Sequence, residues 1–239
     1  MDYSIINEII KTFLWFFIPI VIVTGLLILM RVFAKMPDYV CRKILHLIAI
    51  STMIPLIVVP VHWWVSEIIM GISTIGIIVL LIIFERTNIY KKFFIEKGEH
   101  EIIISFLIFV FVVTSLIAFF WGYRGDSQKY LLLIALFSWG LGDAMASIFG
   151  HLIGKHPISG KLIEGTKSIE GSIACFAFAF LISFILLFVL MTYTLWLSLI
   201  ESLIIGVLVS LAELFTKKGL DNLTCPLVAA LILFLFSLF

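Results

Sequence analysis

An acidic side chain inside a long apolar run is costly to bury, so it asks for a role. Asp143 is such a residue, in the stretch GLGDAMASIFG from Gly140 to Gly150. Asp143, Ser147, Gly150 and Gly154 follow one another at steps of four, three and four, which puts them on one face of a helix. A face with a carboxylate, a hydroxyl and two bare backbone positions suits a metal ion and phosphate oxygens. Gly142, Ala146 and Gly150 also recur every four residues, a spacing that lets two helices approach closely. That packing role accounts for the glycines but not for the carboxylate, which is therefore the chemical candidate. The segment from His151 to Ser172 follows, with Lys155, Lys161 and Lys167 among Gly154, Gly160, Gly165 and Gly171. Glycines let backbone N–H groups come close to phosphate oxygens, and lysines neutralise their charge. The next apolar run begins just beyond Ser168 and Glu170, so its N-terminal N–H groups face the same loop. No GxxxxGK[ST] string occurs, which excludes a standard P-loop.

Glu213 and Asp221 flank a second polar stretch, AELFTKKGLDNLTCP, from Ala212 to Pro226. With Asp143 they form a set of acids for a hard divalent cation such as Mg²⁺, which takes carboxylate and shared phosphate oxygens. Other roles compete: Asp221 and Asn222 are good N-caps for a last helix, and Glu213 is placed to snorkel to the membrane interface. Arg42, Lys43 and His46, three and four residues apart, form a basic trio at the mouth of another apolar run. They suit an anionic headgroup or a nucleotide phosphate, or simple anchoring at the interface. Glu201, within the seventh apolar run, has no role beyond an interhelical hydrogen bond. Trp63, Trp64 and Trp121 read as interfacial belt residues, and the mixed-charge stretch 85–101 as a solvated face.

These residues sit in an unusual background. Of 239 residues 63% are apolar and 13% charged, and the mean hydropathy is +1.25. A soluble domain has about 45–50% apolar and about 25% charged residues. The composition excludes a soluble enzyme, a disordered chain and a collagen-like fibre. A net charge of +1 offers no general attraction for nucleic acid. Three cysteines, far apart and without a CxxC pair, indicate neither zinc nor a disulfide framework. The expectation is an all-α integral membrane protein, one polytopic domain with about eight transmembrane helices near 13–32, 44–60, 65–84, 102–120, 130–150, 172–190, 194–215 and 221–239. The N-terminal stretch lacks the marks of a cleaved signal peptide, and the first span is read as a retained anchor. Of the 16 basic residues, Lys11, Arg124 and Lys129 fall in one alternating set of loops and all the others in the opposite set. Basic residues in short loops stay cytoplasmic, so both termini are expected outside and the chemical residues inside.

RKILH at Arg42–His46, GDAMAS at Gly142–Ser147, KSIEGS at Lys167–Ser172 and the stretch from Glu213 through GLDNLTCPL to Leu227 resemble the polyprenol kinase family. That family includes dolichol, phytol and farnesol kinases and CTP-dependent diacylglycerol kinases. The resemblance is densest over 140–227, with the RKxxH element as an N-terminal outlier. It implies a multi-span helical protein that phosphorylates a membrane lipid alcohol with a nucleoside triphosphate, commonly CTP. Carried onto this chain, it implies that Asp143, with Asp221 or Glu213, holds Mg²⁺ and that one of these acids serves as catalytic base. Lys161, Lys167 and Ser168 would meet the triphosphate, with Lys155, Gly171, Ser172, Arg42, Lys43 and His46 as further nucleotide or phosphate contacts. KSIEG also resembles the phosphatidate cytidylyltransferases, but their HGG and DRxD elements are absent here. Cytidylyl transfer is the alternative activity. An ion-coupled transporter is a third reading, disfavoured because no internal repeat is visible.

Overall fold

The computed structural model describes residues 3–34, 37–85, 101–160, 163, 167–217 and 219–238. Among them the named elements are all helices. Lipid offers no partners to peptide groups, so apolar runs of this length bond internally as helices. In chain order they are α1 (Tyr3–Ala34), α2 (Asp38–Ser51), α3 (Met53–Val58), α4 (Trp63–Glu85), α5 (Glu101–Leu116), α6 (Lys129–Ile153), α7 (Ile169–Leu190), α8 (Leu195–Phe215) and α9 (Asp221–Phe236). Seven segments are long and apolar enough to cross a bilayer, with α2 and α3 together forming one of them. Helix α9, at 16 residues, is about 24 Å long and is the shorter eighth.

The expected spans are present, but two differ in detail. The second starts earlier than expected, at Asp38, and is broken between Ser51 and Met53. Pro55 explains the break, because it has no N–H for the carbonyl of Ser51 and its ring would collide there. The chain turns at Thr52, whose hydroxyl donates to the Ala49 carbonyl at 2.6 Å. Consequently Arg42, Lys43 and His46 lie within a helix, not at its mouth. The fourth span does not stop at Phe120 but widens into a π-helical turn over Ile117–Tyr123. Its wide geometry is visible where Arg124 N–H donates to Phe119 O at 3.0 Å. Trp121, on this turn, is buried. Its indole N–H donates to the Asp126 carboxylate, and Lys129 lies over its ring at 4.7 Å. The belt expectation therefore fails for Trp121: a partner for its N–H inside the fold makes burial favourable.

Helix α6 is the hub. Of its membrane window 72% of residues are buried inside the protein, against 11% for α1. Leu131 through Leu136 are all buried, so the helix is apolar on every side because protein surrounds it. It packs against α2, α7, α8 and α9. Lipid tails are as apolar as leucine, so helices here associate through close packing of small residues. A Cβ on Gly142 would lie 3.2 Å from the Cys175 carbonyl, and one on Gly171 would lie 2.9 Å from the Ala146 carbonyl. The expected seam at Gly142, Ala146 and Gly150 is thus the α6–α7 contact. Gly206 plays the same part between α8 and α7, 3.1 Å from the Phe176 carbonyl by the same measure.

One end of the bundle is held by polar ties. Glu8 accepts from the N–H groups of Val61 and His62 at 2.9 and 3.0 Å and pairs with His62 Nδ1 at 3.0 Å. Arg124 donates to the Ser237 carbonyl and hydroxyl at 3.3 and 3.2 Å. The opposite end carries the residues singled out above.

Candidate functional site

Helices α2 and α6 meet over Gly140, where a Cβ would collide with Ile50. The rings of Tyr39 and His151 stack at 4.4 Å and 8°, tying the start of α2 to the end of α6. This close approach brings Lys43 to Asp143. Their Nζ–Oδ2 distance is 2.6 Å, and the carboxylate is 5% exposed. His46, one turn beyond Lys43, points its Nε2 at the same oxygen from 3.7 Å. That is too far for a hydrogen bond, so this buried nitrogen has no partner among the described residues. Its ring stands edge-on to Trp139 at 4.6 Å. Arg42 is exposed, yet it lies within the electrostatic field of Asp143.

Asp143 was expected to share an open face with Ser147, Gly150 and Gly154. The structure closes the glycine end of that face. A Cβ on Gly150 would lie 3.4 Å from Ser168 Oγ, and one on Gly154 would lie 2.9 Å from the same atom. The bare backbone positions admit the N-terminus of α7, not a ligand. At Ser147 the backbone carbonyl lies 2.7 Å from His151 Nδ1.

The segment before α7 is stapled to that helix. Glu170 takes the backbone N–H of His156 at 3.3 Å and faces its Nδ1 at 2.6 Å. Ile158 N–H donates to the Lys167 carbonyl at 2.9 Å, and Ile169 N–H to the His156 carbonyl at 3.0 Å. Ser168 is the N-cap, its hydroxyl accepting the Gly171 N–H at 3.1 Å. Both groups had been candidates for phosphate, and both have this local partner instead. Ser172 differs: its Oγ is buried without a hydrogen-bond partner among the described residues. Lys155 is exposed. Lys161 lies outside the described residues.

Lys167 reaches the end of α8. Its Nζ lies 2.9 Å from Glu213 Oε1 and also donates to the carbonyls of Glu213 and Thr216. A cation over the last carbonyls of a helix satisfies orphan acceptors and complements the helix dipole. Glu213 therefore turns inward to a lysine and does not snorkel. The hydroxyls of Thr216 and Thr224 meet at 2.7 Å across the α8–α9 link. Asp221 opens α9, but the cap position is Leu220 and makes no side-chain cap bond, so the capping role expected of Asp221 is not taken. Asp221 lies within the field of Asp143, Lys43 and Lys167, and Glu213 within that of Asp143 and Asp221.

Five helices thus bring Asp143, Glu213 and Asp221 together with Lys43, His46 and Lys167 at one end of the bundle. Sequence reasoning missed two neighbours, Cys175 and Cys225, both fully buried. Each lies in the field of Asp143 and Glu213. Nothing in their spacing couples them; only the packing of both α7 and α9 on α6 does.

Among the described residues no three His, Cys, Asp or Glu side chains converge as a metal cage. Asp143 and Glu213 each face a lysine instead. Mg²⁺ does not need such a cage, because it binds through one or two carboxylates and completes its shell with water and substrate phosphate. Asp143 and Asp221 are carboxylates of the kind that mode uses, and Asp221 lies within the field of Asp143. Comparison of the chain with protein-family models, with curated proteins and with solved structures finds no match in any of the three.

Proposed function

We propose that the protein is a lipid-alcohol kinase that transfers the γ-phosphate of a nucleoside triphosphate, CTP by resemblance, to the hydroxyl of an isoprenoid alcohol or diacylglycerol. The observation that supports this reading is the meeting of three carboxylates and two lysines at one end of an otherwise apolar bundle. A lipid alcohol stays in the bilayer and a triphosphate in water, so their reacting atoms must meet at such an end. The positive-inside count argues that this end is cytoplasmic, where the triphosphate is.

Phosphoryl transfer asks mostly for positioning and charge neutralisation. Asp143 and Asp221 would hold Mg²⁺, which supplies neutralisation of the triphosphate charge. Lys43 and Lys167 exchange their carboxylate partners for phosphate oxygens when the nucleotide arrives. Glu213 accepts the alcohol proton. The alcohol oxygen bonds to the γ-phosphorus as the bond from that phosphorus to the β–γ bridging oxygen breaks. The electron pair leaves with the nucleoside diphosphate.

Purified protein in nanodiscs, with Mg²⁺ and labelled CTP, tests this. Label from the γ-position is expected in the lipid. Label from the α-position with release of pyrophosphate would mean cytidylyl transfer instead. Asp143→Asn is expected to lower turnover by about 10²–10³-fold or more while the protein still inserts, with Tm lowered because Lys43 loses its partner. Full turnover in that variant would remove Asp143 from the mechanism.

A further inference from the structure

The line along which α2 and α6 meet changes character from hydrocarbon to water. At its inner end His46 stands against Trp139. Next comes the Lys43–Asp143 pair, and at the aqueous end the rings of Tyr39 and His151 stack. Helical spacing sets this order. Tyr39, Lys43 and His46 follow at steps of four and three on α2, and Asp143, Ser147 and His151 at steps of four on α6, so each set keeps one face. Arg42 follows Tyr39 by three residues, is exposed and lies within the field of Asp143. It is a second cation on this side of α2.

The stack is not sealed inside the bundle. His151 is exposed and Tyr39 half-buried, so an aromatic surface stands open to water beside Arg42 and Lys43. Aromatic rings next to cations suit a nucleobase that carries phosphate, because every base has a face to stack and every phosphate a charge to neutralise. His151 lies two turns of α6 beyond Asp143, about 12 Å along the axis, comparable to a ribose and triphosphate laid end to end. The histidine also has a fixed hydrogen-bonding sense. Its Nδ1 lies 2.7 Å from the Ser147 carbonyl. A carbonyl only accepts, so the proton sits on Nδ1 and Nε2 of the neutral ring is an acceptor. An acceptor there favours a base that offers an amino group, as cytosine and adenine do, and opposes the carbonyl that uracil has in its place.

We propose that Tyr39 and His151 are the nucleobase platform of this protein. An amino-bearing base stacks on the pair with its amino group toward His151 Nε2, and its triphosphate runs past Arg42 and Lys43 to Asp143. This rests on the kinase reading for the presence of a nucleoside triphosphate, and adds which residues hold the base and which bases are taken.

Binding is tested without a lipid acceptor, so turnover is not needed. The full-length protein in nanodiscs is irradiated with the photoreactive analogue iodo-CTP, and adducts are mapped by mass spectrometry. Adducts are expected on Tyr39 or His151 and lost with excess CTP. No competed adduct at either residue overturns the platform, whatever the kinase assay shows. Competed adducts there without γ-phosphate transfer to any alcohol would leave the platform standing and sink the kinase reading. Inorganic tripolyphosphate, which has no base, separates recognition from helix packing. Tyr39→Ala is expected to weaken CTP binding by about tenfold or more and to leave tripolyphosphate binding unchanged. Equal loss for both ligands would mean that the stack only holds α2 to α6, and unchanged CTP binding would also overturn the platform. The wild type is expected to prefer CTP to UTP by about tenfold. His151→Phe, which keeps a ring but has no acceptor, is expected to bind the two alike. Equal binding of CTP and UTP by the wild type, or a preference that survives His151→Phe, overturns the amino-group assignment.

Discussion

The pair Lys43–Asp143 carries two separable roles. At 2.6 Å and nearly dry, it holds α2 against α6 and keeps a carboxylate charged inside the bundle. Removing one partner of a buried pair leaves an uncompensated charge and costs about 3–5 kcal/mol, whereas replacing both by apolar groups is often neutral. Lys43→Met alone is therefore expected to lower Tm markedly, and Lys43→Met with Asp143→Leu to regain most of the loss. The double variant should remain without turnover, because the carboxylate is gone. Thermal unfolding in detergent read beside the kinase assay checks both halves, and recovered turnover would show the pair to be structural only. Glu201 is the contrasting case. It is fully buried on α8, neither carboxylate oxygen has a hydrogen-bond partner among the described residues, and neither has Ser198 Oγ one turn earlier. Burial, and secondarily the charge of Glu201, push the Tyr193 hydroxyl above its ordinary value. An unpaired buried carboxyl contributes nothing favourable to folding, and this one lies outside the Asp143–Glu213–Asp221 group. Glu201→Leu is expected to keep or raise Tm with full turnover. Loss of turnover at normal expression would bring Glu201 into the mechanism.

At the scale of elements, the α6–α7 seam sets how closely the acid-bearing helix meets the lysine-bearing turn. Gly171→Ala would place a methyl 2.9 Å from the Ala146 carbonyl, backbone against backbone, where nothing flexible can yield. Overpacking of this kind costs about 1–3 kcal/mol. Gly76→Ala on α4 meets nothing within 4 Å and is expected to be neutral or slightly stabilising, since glycine disfavours a helix interior. Equal Tm values for the two variants would deny the seam. Its spacing was legible in the sequence because small residues every four positions mark one stripe of a helix. Its partner stripe, Ser168, Gly171 and Cys175, was not, because periodicity identifies a face and not what covers it. The same limit explains the site. Asp143 stood out as an acid in an apolar run, but its pairing with Lys43, 100 residues away, depends on the α2–α6 crossing. Lys167 and Ser168 looked alike as phosphate contacts, yet one bridges to α8 and the other caps its own helix. The break at Pro55 was readable from proline chemistry. The π-helical turn that buries Trp121 was not, since apolar runs specify helix without specifying its width.

On the whole-molecule scale the two ends of the bundle are chemically different. One is clamped by Glu8–His62 and Arg124–Ser237, and the other gathers Asp143, Glu213 and Asp221 with their lysines. Seven segments are long and apolar enough to cross a membrane and α9 is a shorter apolar helix; with eight crossings and basic loops held inside, the kinase reading places the gathered end in the cytoplasm. A nucleoside triphosphate cannot enter hydrocarbon, so the kinase reading requires this orientation. The three native cysteines are all buried, which leaves a quiet background for labelling single introduced cysteines with an impermeant maleimide. Ser127 lies in the short link before α6 and Ser159 in the segment before α7, and both are exposed. In intact cells Ser127→Cys is expected to react and Ser159→Cys to stay silent, with Ser159→Cys reacting once the membrane is opened. The reverse pattern would put the carboxylate–lysine end outside, out of reach of cytosolic nucleotide, and no kinase could work there.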